Sequence, residues 1–132
     1  MKTYLRPIIA IAGLLLSSGC FQMFGSGPVS ELKVNFNKEK TKEAILFLKG
    51  GDATVADSYH VSVKKAGAKL EDDEVGNVFT ADGNHGKTIL NSNSIRFQWA
   101  NSDTLIVRYD KALRTFTQLS YIDGVSIVYK PF

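Results

Sequence analysis

From Ile95 onward, apolar side chains recur at every second position for a few residues at a time, and each run ends at turn-forming residues. Ile95, Phe97 and Trp99 alternate with Arg96 and Gln98; Leu105, Val107 and Tyr109 alternate with Ile106 and Arg108; Val125, Ile127 and Tyr129 form the last run. A period of two sends neighbouring side chains to opposite faces of a strand, whereas a helix needs a period near 3.6 to bury one stripe. Ala100 to Asp103 and Asp123-Gly124 are turn signals between these runs. Phe116, Leu119 and Tyr121 predict a further strand, bulged where the spacing slips. The short connections predict a four-strand meander from Ile95 to Tyr129.

The first half repeats the pattern less regularly. Leu32, Val34 and Phe36 alternate with Lys33 and Asn35, and Ala44 to Leu48 is continuously apolar before Gly50-Gly51-Asp52. Five apolar residues closed by glycine suit a buried strand, although residues Glu39 to Leu48 are also the one helical contender. Tyr59, Val61 and Val63 predict a strand with His60 on the opposite face. Val75, Val78 and Phe79 predict a short strand broken by Gly76 and Asn77, followed by a loop from Ala81 to Asn93. The expected fold is all-β, an antiparallel sandwich or strongly curved sheet of seven to eight short strands.

The one cysteine of the 132 residues, Cys20, ends a distinct leader. Met1 to Arg6 carries Lys2 and Arg6, Pro7 to Leu16 is almost wholly apolar, and Ser17-Ser18-Gly19 precedes the cysteine. A transmembrane helix needs about 20 apolar residues, so this run is short for a membrane span. A charged start, a short apolar stretch and small residues at a cut are the parts of a secretory signal. With cysteine at the cut, the leader resembles a bacterial lipoprotein signal, although Ser17 stands where that pattern prefers Leu. The resemblance implies a cleaved N-terminal signal helix over residues 1–19 and a lipidated tether over residues 20–29. A single β-rich domain follows over residues 30–132.

Acylated Cys20 would be the contact with membrane lipid. One acyl chain anchors only reversibly, and the two or three of a bacterial lipoprotein hold firmly. Phe21 occupies the position where Asp commonly retains such proteins in the inner membrane. The expected location is therefore the cell envelope, in the outer membrane facing the periplasm.

Beyond the leader, several elements together resemble a family of small uncharacterised bacterial lipoproteins. These are Asp52-Ala53-Thr54, the strand Tyr59 to Val63, Val75-Gly76-Asn77-Val78-Phe79, Arg96-Phe97-Gln98-Trp99, Ser102 to Leu105 and Val107-Arg108-Tyr109. That family carries a Cys-Gly-Ala-Thr-Thr-like turn after the strand that Ala44 to Leu48 would form. Here the turn reads Gly50-Gly51-Asp52-Ala53-Thr54, without the cysteine. The resemblance implies a β-rich fold and a lipid anchor, and brings no catalytic residue.

Charge and residue inventory narrow the chemistry. The chain has 16 Lys and Arg against 13 Asp and Glu, and Lys2 and Arg6 belong to the leader. The near-neutral remainder predicts no nucleic-acid partner, which calls for a strongly basic face. Without a second cysteine and with only His60 and His85, no thiol chemistry, cofactor or metal site is expected. Asp82-Gly83-Asn84-His85-Gly86 is the richest polar cluster. Asp82, Asn84 and His85 are the candidate binding loop, although the alternate oxygen ligands lack the distal Glu of a calcium loop.

Phe79, Phe97, Trp99, Tyr109, Phe116, Tyr121 and Tyr129 are expected to pack the core, with a ligand groove as the alternative. Three functional readings follow. The first is a non-enzymatic envelope module binding an envelope protein or a cell-wall component near the membrane. The second is an inhibitor of a periplasmic or incoming hydrolase such as lysozyme, and the third a hydrolase using Asp82 and His85. The third has no nucleophile elbow to support it.

Overall fold

Both faces of the strand containing Ala44 to Leu48 are covered, which accounts for its unbroken apolar run. The computed structural model describes residues 24–132, so the leader and Cys20 lie outside it. It is all-β, with nine strands among the described residues: β1 Val29–Phe36, β2 Lys42–Lys49, β3 Ser58–Lys65, β4 Phe79–Asp82, β5 Ile95–Asn101, β6 Thr104–Tyr109, β7 Arg114–Gln118, β8 Tyr121–Ile122 and β9 Val125–Pro131. They form two sheets, one ordered β1-β2-β3-β4-β7 and the other β5-β6-β9-β8.

The two sheets bury one face each against the other. Leu46, Val61, Phe79 and Ala81 of the five-stranded sheet meet Phe97, Leu105, Val107 and Ile127 of the four-stranded sheet. Burying such a side chain contributes about 1.5–3 kcal/mol, so this interlayer core holds the sandwich closed. Of the aromatic set, Phe79 and Phe97 are buried, and Trp99, Tyr109 and Tyr129 pack against the core from its margin. Phe116 and Tyr121 are exposed instead, because β7 and β8 lie at sheet edges.

The expected meander holds at its two ends, the β5–β6 hairpin and the antiparallel β8–β9 pair, but not between them. β5 and β6 pair antiparallel, but the chain then crosses to the other sheet to place β7 beside β4. It returns through β8, and β9 pairs with β6 in parallel. A parallel neighbour cannot be reached by a tight hairpin, and β7 in the opposite sheet supplies the crossover. Asp123 and Gly124 both have positive φ, 47° and 81°. That combination makes the two-residue hairpin turn joining β8 to β9.

The strand expected at Ala44 to Leu48 forms as β2 from Lys42, and residues 39–48 form no helix. Two further expectations change. Val75 and Val78 lie outside a strand, and the strand at Phe79 runs through Ala81 to Asp82, so the loop starts later than expected. Residues 66–78 instead cross the outer face of the five-stranded sheet. Gly76 sits so close to the sheet that a Cβ there would lie 2.5 Å from Phe79 O and 3.0 Å from His60 Cβ.

The crossing segment supplies partners to several of the groups beneath it. Buried Lys49 donates from Nζ to the carbonyls of Asp73 and Glu74, each at 3.3 Å. Lys64 pairs with Glu74 at 2.5 Å, and Asn77 N–H donates to Ser62 Oγ. β4 pairs with β3 only as far as Val61, which leaves the edge groups of Val63 open. The Asn77 side chain takes both, accepting from Val63 N and donating to Val63 O at 2.8 Å each. One side chain thereby replaces a missing rung of the ladder.

Residues 24–28, where a tether is expected, also lie against the fold. Gly27 N donates to Gly50 O, Gly50 N donates to Pro28 O, and Phe24 packs edge-on against His60 and Phe116.

Candidate functional site

Asp82 ends β4 directly opposite Arg114, the first residue of β7. Arg114 forks onto the carboxylate, with Nε donating to Oδ1 at 3.1 Å and a terminal nitrogen donating to Oδ2. Its other terminal nitrogen lies 2.9 Å from His85 Nε2. A guanidinium can only donate, so this His85 nitrogen accepts and the proton resides on Nδ1. Burial alone would raise the Asp82 carboxyl; the Arg114 and Asn84 hydrogen bonds, with the Arg114 charge, outweigh it and hold the group below its ordinary range.

The turn after β4 is bent to serve this pair. Asn84, His85 and Gly86 have consecutive positive φ values of 54°, 57° and 79°. That left-handed region costs an ordinary residue about 1–2 kcal/mol. Asn84 N–H donates to Asp82 Oδ1 at 2.9 Å and Asn84 Nδ2 donates to Ala112 O at 3.3 Å, fixing the bend. Of the three residues singled out from sequence, Asp82 and Asn84 are thus turned into the fold. His85 remains exposed beside an opening.

The opening is a cavity of about 300 Å³ on the outer side of the five-stranded sheet. Asp82, His85, Arg114 and Ser58 form its polar part, Phe24 and Phe116 an aromatic wall, and Thr54, Val55 and Ala56 its opposite lip. Arg114 also stacks over the Phe116 ring, 4.9 Å from its centre, which fixes both side chains. The lip is held by Asp52, which accepts from the N–H groups of Thr54 and Val55 at 2.9 and 3.0 Å. Past Ala56 and His85, a second hollow of about 340 Å³ reaches Gly83, Ile89 and Leu90.

Beneath the cavity lies a pair that resembles a catalytic dyad in distance alone. Ser58 Oγ is 2.7 Å from His60 Nε2, and both residues are buried. Gly76 N–H donates to His60 Nδ1 at 2.9 Å, so Nδ1 accepts and Nε2 carries the proton toward Ser58. That tautomer cannot take a proton from the serine, which is the reverse of what an activated nucleophile requires. Burial, assisted by the charge of Lys49, lowers the His60 pKa to about 4, so the imidazole is neutral at neutral pH.

Sequence reasoning missed Arg114, Ser58 and Phe24 as parts of this site. His60 was placed on the polar face of its strand, where Ser58 and Ser62 alternate with it, but nothing nearby signalled its burial. Arg114 stands 32 residues from Asp82, and only the β4–β7 pairing joins them. Among the described residues, no group of three or more His, Cys, Asp or Glu is placed to hold a metal ion. Comparison with protein-family models, with curated proteins and with solved structures finds no match for this chain.

Proposed function

We propose that the chain is a lipoprotein of the bacterial cell envelope, anchored through acylated Cys20 and acting as a non-enzymatic binding module. Its partner, an envelope protein or a cell-wall component, inserts a segment into the cavity beside Asp82, His85 and Arg114. The preset Arg114 carries this reading. Arginine has five N–H donors, and three are committed to Asp82 and His85, which leaves two for a ligand carbonyl, hydroxyl or carboxylate. Phe24 and Phe116 offer an apolar wall beside those donors. A few oriented polar groups on an apolar wall are the usual makeup of a ligand pocket.

The hydrogen-bond pattern favours binding over hydrolysis. His85 spends its lone pair on Arg114, Asp82 already accepts three hydrogen bonds from Arg114 and Asn84, and His60 faces Ser58 with a proton. The reading as an inhibitor of a hydrolase such as lysozyme calls for a projecting loop. Asp82 and Asn84 are drawn inward here, and that reading gains no support from them.

Two measurements test the proposal. Metabolic labelling with a clickable palmitate analogue should tag the wild-type chain and leave Cys20→Ala untagged. Affinity capture from the native envelope should recover a specific partner with the wild type and lose it with Ala56→Trp. Ala56 is an exposed lip residue outside any strand, so the indole blocks the entrance without disturbing the core. A partner retained by Ala56→Trp would remove the cavity from the account.

A further inference from the structure

The outer face of the four-stranded sheet carries a row of cations in register. Arg96 on β5 stands opposite Arg108 on β6, and Arg108 stands opposite Lys130 on β9. All three are exposed, and β5, β6 and β9 contain no Asp or Glu. Among the described residues the ion pairs are Lys64–Glu74 and Asp82–Arg114, so this row has no carboxylate partner in one. Strand neighbours are about 4.8 Å apart, and like charges facing each other at that spacing oppose folding. An anionic surface outside the fold would neutralise them.

Apolar groups gather at the same end of the sandwich. From Tyr109 the chain passes residues 110–113 to Arg114, at the cavity, so the row lies toward the cavity end. Thr88 Oγ1 donates to Asp110 Oδ2 at 3.4 Å and holds the loop bearing Ile89 there, and Ile89 is 82% exposed. Lys111 N–H donates to Phe132 O, and Arg96 lies over the half-exposed Phe132 ring at 5.0 Å. Cations beside exposed aliphatic and aromatic side chains match a lipid interface, where phosphates lie above hydrocarbon.

The position of the chain's start points the same way. Phe24 lines the cavity at this end, and Cys20 lies four residues before it, a reach of at most about 14 Å. We infer that this end of the sandwich docks on an anionic phospholipid bilayer, with Arg96, Arg108 and Lys130 on headgroup phosphates and Ile89 inserted at the interface. The placement rests on the lipid-anchor reading, but the contact itself needs no acyl chain.

The test uses the chain from residue 20 onward with Cys20→Ser, which has neither the leader nor a thiol to acylate. Its co-sedimentation is measured with vesicles of phosphatidylcholine alone and with phosphatidylglycerol added. Binding should require the anionic lipid and fall with added salt. The triple variant Arg96→Gln, Arg108→Gln, Lys130→Gln should bind about a hundredfold more weakly. Ile89→Ser should weaken it about tenfold.

The triple variant should melt no lower than its parent, which separates lost contact from lost fold. Equal binding to both vesicle types, full retention by the triple variant, or no binding at all overturns the inference. Capture of a soluble acidic protein that depends on the row, without vesicle binding, would overturn it in favour of that partner. Failure to acylate Cys20 while Cys20→Ser still binds vesicles would overturn the anchor reading alone.

Discussion

The outer faces of the two sheets are built on opposite terms. On the five-stranded sheet, Ile45, Phe47, His60, Ser62 and Thr80 all lie at 0–1% exposure although they point away from the interlayer core. On the four-stranded sheet, Arg96, Gln98, Arg108, Val128 and Lys130 stand open. The covered face has most of its polar groups matched, with His60, Ser62, Lys49 and Lys64 held by the crossing segment at residues 66–78 and Thr80 Oγ1 left without a partner. The open face has charges with no carboxylate in their strands. Charge can stay unmatched where water screens it, whereas burial makes an unpartnered polar group costly, so nearly all of them find a partner.

This contrast makes predictions that can break it, the largest first. Phe47→Ala should cost about 3–5 kcal/mol in denaturant unfolding, as a core truncation does, although Phe47 faces outward from its sheet. Ile106→Ala, at a half-buried outer position of β6, should cost under about 1 kcal/mol. Similar losses at the two sites would mean that the first face is not sealed.

Acid should act through the covered face next. The His60 pKa is lowered from 6.5 in an unfolded chain to about 4 in the fold, so the unfolded state binds the extra proton in between. Its contribution is complete above about pH 6.5, shrinks as pH falls toward about 4, and amounts to about 3 kcal/mol at most. His60→Gln should flatten that part of the stability profile. An unchanged slope between pH 6.5 and 4 would show that His60 is not held neutral.

Smaller effects sharpen the comparison at the exposed charges. Arg114→Ala strips the buried Asp82 of its fork and should lower the Tm, whereas Arg108→Gln on the open face should leave it unchanged or raise it slightly. The difference should persist in high salt for Arg114, whose partner is largely shielded, and vanish for Arg108. Equal sensitivity of both variants to salt would place Asp82 in solvent.

How much of this could be read from sequence follows from the same contrast. One-sided burial writes itself as alternation, and β5, β6 and β9 were legible for that reason. The unbroken run at Ala44 to Leu48 marked a strand buried on both sides, and Asp123-Gly124 marked the hairpin between β8 and β9. In β3, however, the second buried face consists of Ser58, His60 and Ser62, whose polarity reads as solvent-facing. Only the crossing segment, with Gly76 and Asn77 as donors and acceptors, makes that face an interior. The parallel pairing of β6 with β9 and the Asp82–Arg114 fork depend on which strands become neighbours across long separations. Local periodicity carries no record of that choice. The loop beginning near Asp82 is joined to β7 through Arg114, a partner that no local pattern announced.

The most direct test of the account places a photo-crosslinking amino acid at Ala56, on the cavity lip, and separately at Asp123, in the exposed turn before β9. Both chains are expressed in the native host and irradiated. A discrete adduct from Ala56 and none from Asp123 is the predicted result. Adducts from Asp123 alone, or from neither site, would contradict a binding module that works through this cavity.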